Sequence, residues 1–144
     1  MIRLALLDDI PELLRMGRSF FNDSGYSHIA EYNEETTAQT LEILINGGTL
    51  LTDGKTGMIG FLVFPMFMDK NCIVAQELFW WVDKENRKSK LGIELLKEAE
   101  FLAKEKGAKS MIMLSLSSLD GEKVNALYES LGYTKRESNY MRVL

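Results

Sequence analysis

The sequence has very little of two residue types on which many catalytic and structural sites depend. It contains one cysteine, Cys72, and one histidine, His28, among its 144 residues. A single cysteine excludes an internal disulfide and a cysteine-rich zinc cluster. A single histidine leaves a Ser-His-Asp triad or a histidine-based metal site with little to build on. We therefore expect neither a metal nor a histidine-activated nucleophile.

Long apolar runs and a broad basic surface are also missing. The longest apolar run, residues 58–68, contains Gly60 and Pro65 and is shorter than the roughly 20 residues of a membrane-spanning helix. The N-terminal apolar stretch is cut short by Asp8 and Asp9, unlike a signal peptide. The formal net charge of -4 argues against a general nucleic-acid binder. These absences predict a cytoplasmic protein that binds neither nucleic acid nor membrane.

Two common nucleotide-binding signatures are absent as well. The sequence contains no G-x-x-x-x-G-K-[ST] loop and no G-x-G-x-x-G motif after a strand, so neither a P-loop nor a Rossmann site is indicated. No internal repeat and no linker rich in Pro, Gly or Ser interrupts the chain. We therefore interpret residues 1–144 as a single domain.

Apolar periodicity predicts a series of strands and helices. Asp8 and Asp9, followed by Pro11, mark a helix start, whereas Gly107 and Gly132 mark helix ends. The predicted strands cover residues 2–6, 49–52, 58–67, 73–82 and 109–116, with a closing pair within 133–144, and the predicted helices cover residues 10–21, 34–45, 91–106 and 122–131. The order is strand, two helices, three strands, helix, strand, helix and two strands. It indicates an α/β fold with a mixed sheet.

Positive charge is concentrated where a predicted strand passes into a helix, although the protein as a whole is acidic. The segment "WWVDKENRKSKLG" places Lys84, Arg87, Lys88 and Lys90 in the eight residues after Val82. A helix N-terminus offers unpaired backbone N–H groups and the positive end of the helix dipole, so this turn could bind a pyrophosphate. A solvated basic turn explains the charge equally well.

The same segment resembles the acetyl-CoA signature of the GCN5-related N-acetyltransferases, the GNAT family. In that family a central strand ends at a valine, and a turn with the pattern [QR]-x-x-G-x-[GA] opens a helix. Val82 matches the strand end, Arg87 the first position and Gly92 the last. Lys90 stands at the internal glycine position, where a side chain limits close backbone approach. Either the turn is wider here, or Lys90 adds its charge to the phosphate site.

A second resemblance lies near the C-terminus. "VNALYESLGY" is similar to the family pattern A-x-x-L-Y-x-x-x-G-[FY], and the residues that match it are Leu127, Tyr128, Gly132 and Tyr133. The family often has an asparagine about two helical turns before the tyrosine. Gly121 occupies that place here, and Asn125 lies one turn before Tyr128.

The resemblance implies a fold, an activity and a cofactor. The fold is the GNAT type, whose mixed, mostly antiparallel sheet splays in its centre. The activity is acetyl-CoA-dependent transfer of an acetyl group to a primary amine of a small molecule, peptide or protein, by direct attack in a ternary complex. The residues that the resemblance places on acetyl-CoA are Trp80, Trp81, Val82, Arg87, Lys88, Ser89, Lys90, Leu91, Gly92, Asn125 and Tyr128.

Tyr128 and Glu77 are the candidate catalytic residues. By resemblance Tyr128 donates a proton to the leaving thiolate, whereas without it a core tyrosine bonded to backbone is the simpler interpretation. Glu77 lies in an apolar strand, where burial would raise its pKa and suit it to accept a proton from the substrate ammonium. Because strand residues alternate faces, Gln76 and Glu77 can share the cleft only if a bulge intervenes.

The resemblance places the acceptor pocket in the connection between the first two helices. Its candidate residues are Phe20, Phe21, Tyr26 and His28. Glu31, Glu34 and Glu35 follow and would suit a cationic acceptor, although a solvated helix start explains them more simply. Aromatic residues near 64–67 and exposed strand edges make a homodimer a further expectation.

Two rival interpretations stay open at this point. One is a non-catalytic module that retains the CoA site as a sensor or protein-binding surface. The other is a small protein whose basic turn binds a different polyphosphate. The Lys90 departure and the uncertain face of Glu77 are the sequence features that keep them open.

Overall fold

A computed structural model describes residues 1–144 and contains five strands and four α-helices. In chain order these are β1 (Arg3–Leu4), α1 (Ile10–Ser24), α2 (Glu34–Asn46), β2 (Leu50–Thr52), β3 (Gly57–Met66), β4 (Asp69–Val82), α3 (Leu91–Glu105), β5 (Ser110–Ile112) and α4 (Gly121–Ser130). The predicted order is confirmed as far as α4. No helix is both long and apolar enough to cross a membrane.

Local sequence sets the ends of the first two helices. Pro11 lies in the first turn of α1, and Gly25 ends that helix in the left-handed conformation, with φ of 82°. The Asn33 side chain accepts a hydrogen bond from the Thr36 N–H at 2.8 Å and so caps α2. These local signals fix where the connection between α1 and α2 begins and ends.

The sheet has the strand order β1-β2-β3-β4-β5 and is antiparallel except for its last pair. β5 runs parallel to β4 and pairs with it only over Val74–Gln76, opposite Ser110–Ile112. From Glu77 to Val82, β4 therefore has β3 on one edge and no strand on the other. This opening is the central splay that the family resemblance implied.

A bulge in β4 determines which face Glu77 occupies. Gly60 of β3 lies opposite Phe79, whereas Phe61 lies opposite Glu77, so Leu78 has no partner across the pair. Gly60 permits this irregularity because a Cβ there would stand 2.6 Å from the Phe79 ring. Past the bulge the alternation is reversed, and Glu77 shares a face with Trp80. The bulge lies beyond Gln76 and Glu77, which pair in regular register with Leu62 and Phe61, so these two residues stay on opposite faces of β4.

Helices cover both faces of the sheet. On the face of α3 and α4 the buried residues include Ile59, Phe61, Ala75, Leu95 and Leu96. On the face of α1 and α2 they include Leu13, Met16, Leu41, Leu44 and Trp81. β4 contributes Trp80 to the first core and Phe79 to the second, so the opening beside β4 lies between two packed layers.

The predicted closing strands are wrong, and so is the predicted length of the fifth strand. Residues 133–144 form no strand, and every residue from 134 to 144 is exposed. The charged run Lys135, Arg136 and Glu137 leaves this segment without a continuous apolar row to bury. β5 ends at Ile112 rather than near residue 116, because the chain then leaves the sheet edge and Leu114 bonds to Tyr128 instead.

Candidate active site

A cavity of about 360 Å³ occupies the opening beside β4. It is bordered by β4, the turn into α3, the segment after β5, α4 and Phe20 of α1. Nine of the residues predicted for the site line it, namely Phe20, Glu77, Trp80, Trp81, Val82, Arg87, Ser89, Gly92 and Tyr128. The structure therefore brings the two candidate catalytic residues and Arg87, one of the four basic residues of the turn, to one cavity.

Glu77 is a buried carboxyl group at the cavity wall, with 7% of its surface exposed. Burial raises the pKa of Glu77 from 4.5 to about 8, and a hydrogen bond with the Leu114 backbone opposes this effect only in part. At neutral pH the group is therefore protonated more often than an exposed glutamate would be. Such a carboxyl can exchange protons near physiological pH.

Tyr128 is held against the same backbone segment. Its hydroxyl donates a hydrogen bond to the Leu114 carbonyl at 2.6 Å, and its ring stacks on Trp80 with a centroid distance of 6.0 Å. Burial, and then the proximity of Glu77 and Tyr133, raise the pKa of Tyr128 well above its usual value of 10. The hydroxyl consequently stays protonated and can act as a donor.

Trp80 has a buried donor without a partner. Its Nε1 makes no hydrogen bond, although the atom is shielded from solvent. The indole lies beside the start of α3, where a Cβ on Gly92 would be 3.5 Å from Trp80 Cζ2. A buried N–H without an acceptor costs about 1–3 kcal/mol, so Trp80 lowers the stability of the fold at this position.

Arg87 folds back over the end of β4. Its Nε donates to the Val82 carbonyl at 2.8 Å, and its guanidinium carbon lies 4.6 Å from the centre of the Trp81 ring. No hydrogen bond within the protein uses its Nη atoms. The cation is thus fixed at the mouth of the cavity with its donors free.

The turn into α3 closes on itself and leaves helix donors open. Ser89 Oγ donates to the Asn86 carbonyl at 2.6 Å and accepts from the Leu91 N–H at 3.3 Å. The N–H groups of Gly92 and Ile93 enter no hydrogen bond within the protein. Together with Arg87 they form a site suited to an anion.

Lys90 adopts ordinary right-handed angles, with φ of -78° and ψ of -5°. A lysine meets no backbone penalty in that conformation, so the position does not demand glycine. The Lys90 side chain is exposed. The turn therefore accommodates the departure from the family pattern without distortion.

A family model for the acetyltransferase (GNAT) family matches residues 8–133. The chain belongs to the GNAT family. A comparison with curated protein sequences found no match. As a GNAT protein, the chain is an acetyltransferase, and the segment containing Glu77, Arg87 and Tyr128 lies within the matched residues.

Solved structures of other acetyltransferases have the same fold. A ribosomal-protein-alanine N-acetyltransferase from Brucella melitensis biovar Abortus 2308 is 18% identical, with 100% of this chain and 98% of that chain covered and a TM-score of 0.73. A GNAT family acetyltransferase from Staphylococcus aureus is 21% identical, with coverage of 100% and 98% and a TM-score of 0.69. An aminoglycoside acetyltransferase from an uncultured soil metagenomic sample is 15% identical, with coverage of 100% and 95% and a TM-score of 0.73. At these identities the likeness concerns the fold.

Seven predicted site residues lie outside the lining of the GNAT cavity. Lys88, Lys90 and Asn125 are exposed on the surface, and Leu91 is half-buried and packs toward Gly57. The acceptor-side residues are divided. Phe21 lines a second cavity, Tyr26 packs on Phe20 with a centroid distance of 6.4 Å, and His28 is exposed.

Sequence reasoning missed most of the wall opposite β4. The additional lining residues are Ile93, Leu114, Leu116, Leu119, Asp120, Lys123, Val124 and Leu127. Leu114 contributes chiefly through its backbone, and a backbone contribution cannot be inferred from the residue type. The α4 residues Val124 and Leu127 could have been found, because they lie one turn and one residue before Tyr128 on the same helix.

No group of three or more His, Cys, Asp or Glu side chains is placed to hold a metal ion. The acidic lining residues, Glu77 and Asp120, come from β4 and from the N-terminus of α4.

Proposed function

We propose that this GNAT protein is an acetyl-CoA-dependent N-acetyltransferase that acts on a primary amine by direct attack in a ternary complex. The observation that carries this proposal is the placement of Glu77 and Tyr128 in one cavity beside the unpaired edge of β4. The Glu77 carboxyl can accept a proton there, and the Tyr128 hydroxyl can donate one. Acyl transfer between a thioester and an amine needs both.

The cavity suits acetyl-CoA at several points. Arg87 and the free N–H groups of Gly92 and Ile93 would hold the pyrophosphate. The unpaired edge of β4 would hold the pantetheine arm. When bound, acetyl-CoA supplies the acetyl group as a thioester. Backbone donors of β4 would stabilise negative charge on the thioester oxygen.

Glu77 is proposed as the general base. A primary ammonium must lose a proton before its nitrogen can attack, and a carboxylate in a desolvated wall accepts it readily. Because burial raises the pKa of Glu77 to about 8, the carboxylate form increases as the pH rises through that value. We expect kcat/KM to rise with pH through about 8 and the Glu77→Gln variant to lose this rise.

Tyr128 is proposed as the general acid. Its hydroxyl holds the proton that the leaving sulfur requires, and the hydroxyl must turn from the Leu114 carbonyl, which accepts that proton at 2.6 Å in the free protein, to the sulfur during transfer. Because burial raises the pKa of Tyr128 above its usual value, the group is protonated before each transfer. It regains its proton from solvent or from the Glu77 carboxyl afterwards.

Calorimetry with CoA and acetyl-CoA, followed by thiol release with a panel of amines, tests the proposal. Micromolar binding and thiol release that depends on both acetyl-CoA and an amine are expected. Absence of CoA binding at micromolar concentrations would refute the proposal. Binding without turnover of any amine would instead identify the protein as a non-catalytic CoA-binding module.

The acceptor and the assembly belong to the proposal as well. One structural neighbour is a ribosomal-protein-alanine N-acetyltransferase and another is an aminoglycoside acetyltransferase, so both peptide and small-molecule amines belong in the panel. Phe67 and Met68, at the tip of the β3–β4 hairpin, are 91% and 70% exposed and support the predicted homodimer. Sedimentation velocity measures that state directly.

A further inference from the structure

A second cavity, of about 150 Å³, lies on the α1 and α2 side of the sheet. Leu41 and Met58 are buried at its base, and its walls are formed by half-buried residues of α1, α2 and β4, among them Gly17, Phe21 and Phe79. Because most of the wall is partly exposed, this cavity is open to solvent and is not a sealed packing defect.

Phe20 separates this second cavity from the cavity that contains Glu77 and Tyr128, which is called the reaction cavity below. Its side chain lines both, and its ring meets Trp81 edge-on with a centroid distance of 6.3 Å. Glu77 lies on the opposite face of β4 from Phe79, but the reaction cavity reaches the α1 side of the sheet, where Phe20 and Trp81 line it. A molecule whose amine meets Glu77 can therefore extend its remaining atoms past Phe20.

The lining of the second cavity contains no polar group in need of a partner. The Tyr32 hydroxyl donates to the Leu14 carbonyl at 3.3 Å, and the Thr37 hydroxyl donates to the Asn33 carbonyl at 2.8 Å. The other lining residues are apolar side chains or glycine. An apolar cavity of about 150 Å³ accepts a benzene-sized group. The occupant suited to this cavity is an apolar group of that size.

The aromatic face of Tyr32 in this cavity is already occupied by a cation of the protein. Arg18 lies over the aromatic ring of Tyr32, with its guanidinium carbon 4.4 Å from the ring centroid. The cation uses the face of that ring, which could otherwise bind a second positive group of an acceptor. A polyamine would find no acceptor atoms free in the lining, and the exposed carboxylates of Glu31, Glu34 and Glu35 lie outside it.

We propose that the acceptor is a primary amine that carries a compact apolar or aromatic substituent, and that the cavity behind Phe20 binds that substituent. The inference rests on the proposed transferase function and specifies its substrate class. Glu77 meets the ammonium in the reaction cavity, and the substituent enters the space between Gly17, Phe21 and Phe79. Amines without such a group, and polycationic amines, are poorer acceptors.

The test compares amides of amino acids that share one amine and differ in the side chain. With acetyl-CoA in excess, leucinamide and phenylalaninamide are expected to exceed glycinamide and lysinamide in kcat/KM by at least about 10-fold, the discrimination an apolar pocket achieves for small groups. An aminoglycoside serves as the polycationic comparison. Equal kcat/KM across the panel would overturn the inference and leave the transferase function intact, whereas turnover of none would overturn both.

Replacement of Gly17 tests the location. A Cβ at Gly17 would lie 3.6 Å from Thr37 Cγ2 and 3.9 Å from Tyr32 Oη, which are ordinary contacts, so alanine fits the helix. Gly17→Ala and the larger Gly17→Leu should progressively reduce the ratio of kcat/KM for leucinamide to that for glycinamide. Asn22→Leu, on an exposed position of the same helix, is the matched control and should preserve the ratio.

The fold of each variant is checked by acetyl-CoA binding, which uses the other side of the opening. A ratio that is unchanged in Gly17→Leu, with binding retained, would refute this location. If Gly17→Leu fails to bind acetyl-CoA, the Gly17→Ala ratio decides, because alanine also favours helix over glycine by about 1 kcal/mol.

Discussion

At the scale of single residues, Glu77 shows how position changes the chemistry of an ordinary side chain. A glutamate in a strand is unremarkable until the strand is covered on both faces. Here the carboxyl is 7% exposed, and burial raises its pKa from 4.5 to about 8. The same burial that makes Glu77 a base near neutral pH must lower the stability of the fold when the group ionises.

We predict that Glu77 makes stability fall as the pH rises. Between about pH 4.5 and 8 the unfolded chain releases this proton and the folded chain keeps it, so the free energy of unfolding decreases across that range and then levels off. At 1.36 kcal/mol per pKa unit, the contribution is at most about 5 kcal/mol.

Urea denaturation at pH 5 and at pH 8.5 measures the effect. Glu77→Gln should gain stability relative to the wild type at pH 8.5 and gain little at pH 5. Glu98→Gln is the matched control, because Glu98 is exposed on α3. A Glu77→Gln variant with the same pH dependence as the wild type would show that the carboxyl titrates normally.

Tyr128 is predicted to act in turnover and not in cofactor binding. Tyr128→Phe keeps the ring that stacks on Trp80 and removes the hydroxyl that donates to Leu114. Loss of a general acid lowers kcat by roughly 100-fold or more, whereas affinity for acetyl-CoA should be nearly unchanged. A thiol-release assay measures kcat, and calorimetry measures the affinity for acetyl-CoA.

Tyr133→Phe is the control for that variant. The Tyr133 and Tyr128 ring centroids are 5.5 Å apart, and removal of the Tyr133 hydroxyl leaves the bond between Tyr128 and Leu114 in place. A similar fall in kcat for both variants would mean that packing of the aromatic cluster, and not the Tyr128 proton, limits the reaction.

At the scale of elements, the bulge in β4 and the turn into α3 cooperate. The bulge turns Glu77 toward the face of Trp80, and the turn then places Arg87 over Trp81 at the end of the same strand. One strand thus carries the proposed base in its middle and the cation at its end. The splay from β5 leaves the intervening edge free for a ligand.

We predict that Arg87 contributes more to acetyl-CoA affinity than the other basic residues of this turn. Its Nε is fixed on the Val82 carbonyl, and the Nη atoms are free, so Arg87→Ala should weaken acetyl-CoA binding by roughly 10- to 100-fold, the usual range for a charge-assisted hydrogen bond. Lys90→Ala should lose less acetyl-CoA affinity, because the Lys90 side chain is exposed and lies outside the cavity lining. Calorimetry at one salt concentration compares them, and an equal loss would assign the effect to net charge.

The sequence contained strong signals for some elements and none for others. Pro11, Asn33 and Gly25 place helix ends through local chemistry, and they could be interpreted without tertiary contacts. The bulge at Leu78 was not predicted, because it depends on Gly60 in the neighbouring strand. The end of β5 depends on the bond between Tyr128 and Leu114, which joins residues 14 apart.

The residues of the candidate site also differ in how well the sequence predicts them. Val82, Arg87, Gly92 and Tyr128 follow motifs of fixed spacing, and all four line the reaction cavity. The opposite wall consists of Leu114, Leu116 and α4 residues that any apolar core position would resemble. The cavity behind Phe20 results from a space between helices, which a linear pattern does not encode.

At the scale of the whole molecule, α1 is tied to both sides of the opening. On the β4 side, Arg15 bonds to Asp83 at 2.8 Å and Lys84 lies 3.4 Å from Asp23. On the α4 side, Ser118 Oγ donates to the Ser24 carbonyl at 2.8 Å. These contacts fix the position of α1 relative to both walls of the reaction cavity. A substitution in α1 can therefore change the shape of the cavity without contacting a ligand.

Asp83 is the most consequential of these links, because it also supports Trp81. Its carboxylate accepts from Trp81 Nε1 at 2.9 Å, and Trp81 is only 4% exposed. Asp83→Ala should lower the free energy of unfolding by roughly 1–3 kcal/mol, because a buried donor loses its acceptor. The bond to Arg15 contributes little of this, since that side chain is 44% exposed and screened by solvent.

Asp83→Asn separates the two contributions in a urea titration. Asparagine keeps a carbonyl oxygen for Trp81 Nε1 and removes the charge that pairs with Arg15, so we expect it to lose less than about 1 kcal/mol. Arg87 rests on the Trp81 ring, and acetyl-CoA affinity should therefore fall with Asp83→Ala and stay nearly constant with Asp83→Asn. Equal losses in the two variants would transfer the role from the Trp81 hydrogen bond to the Arg15 ion pair, and α1 would then hold the site by charge.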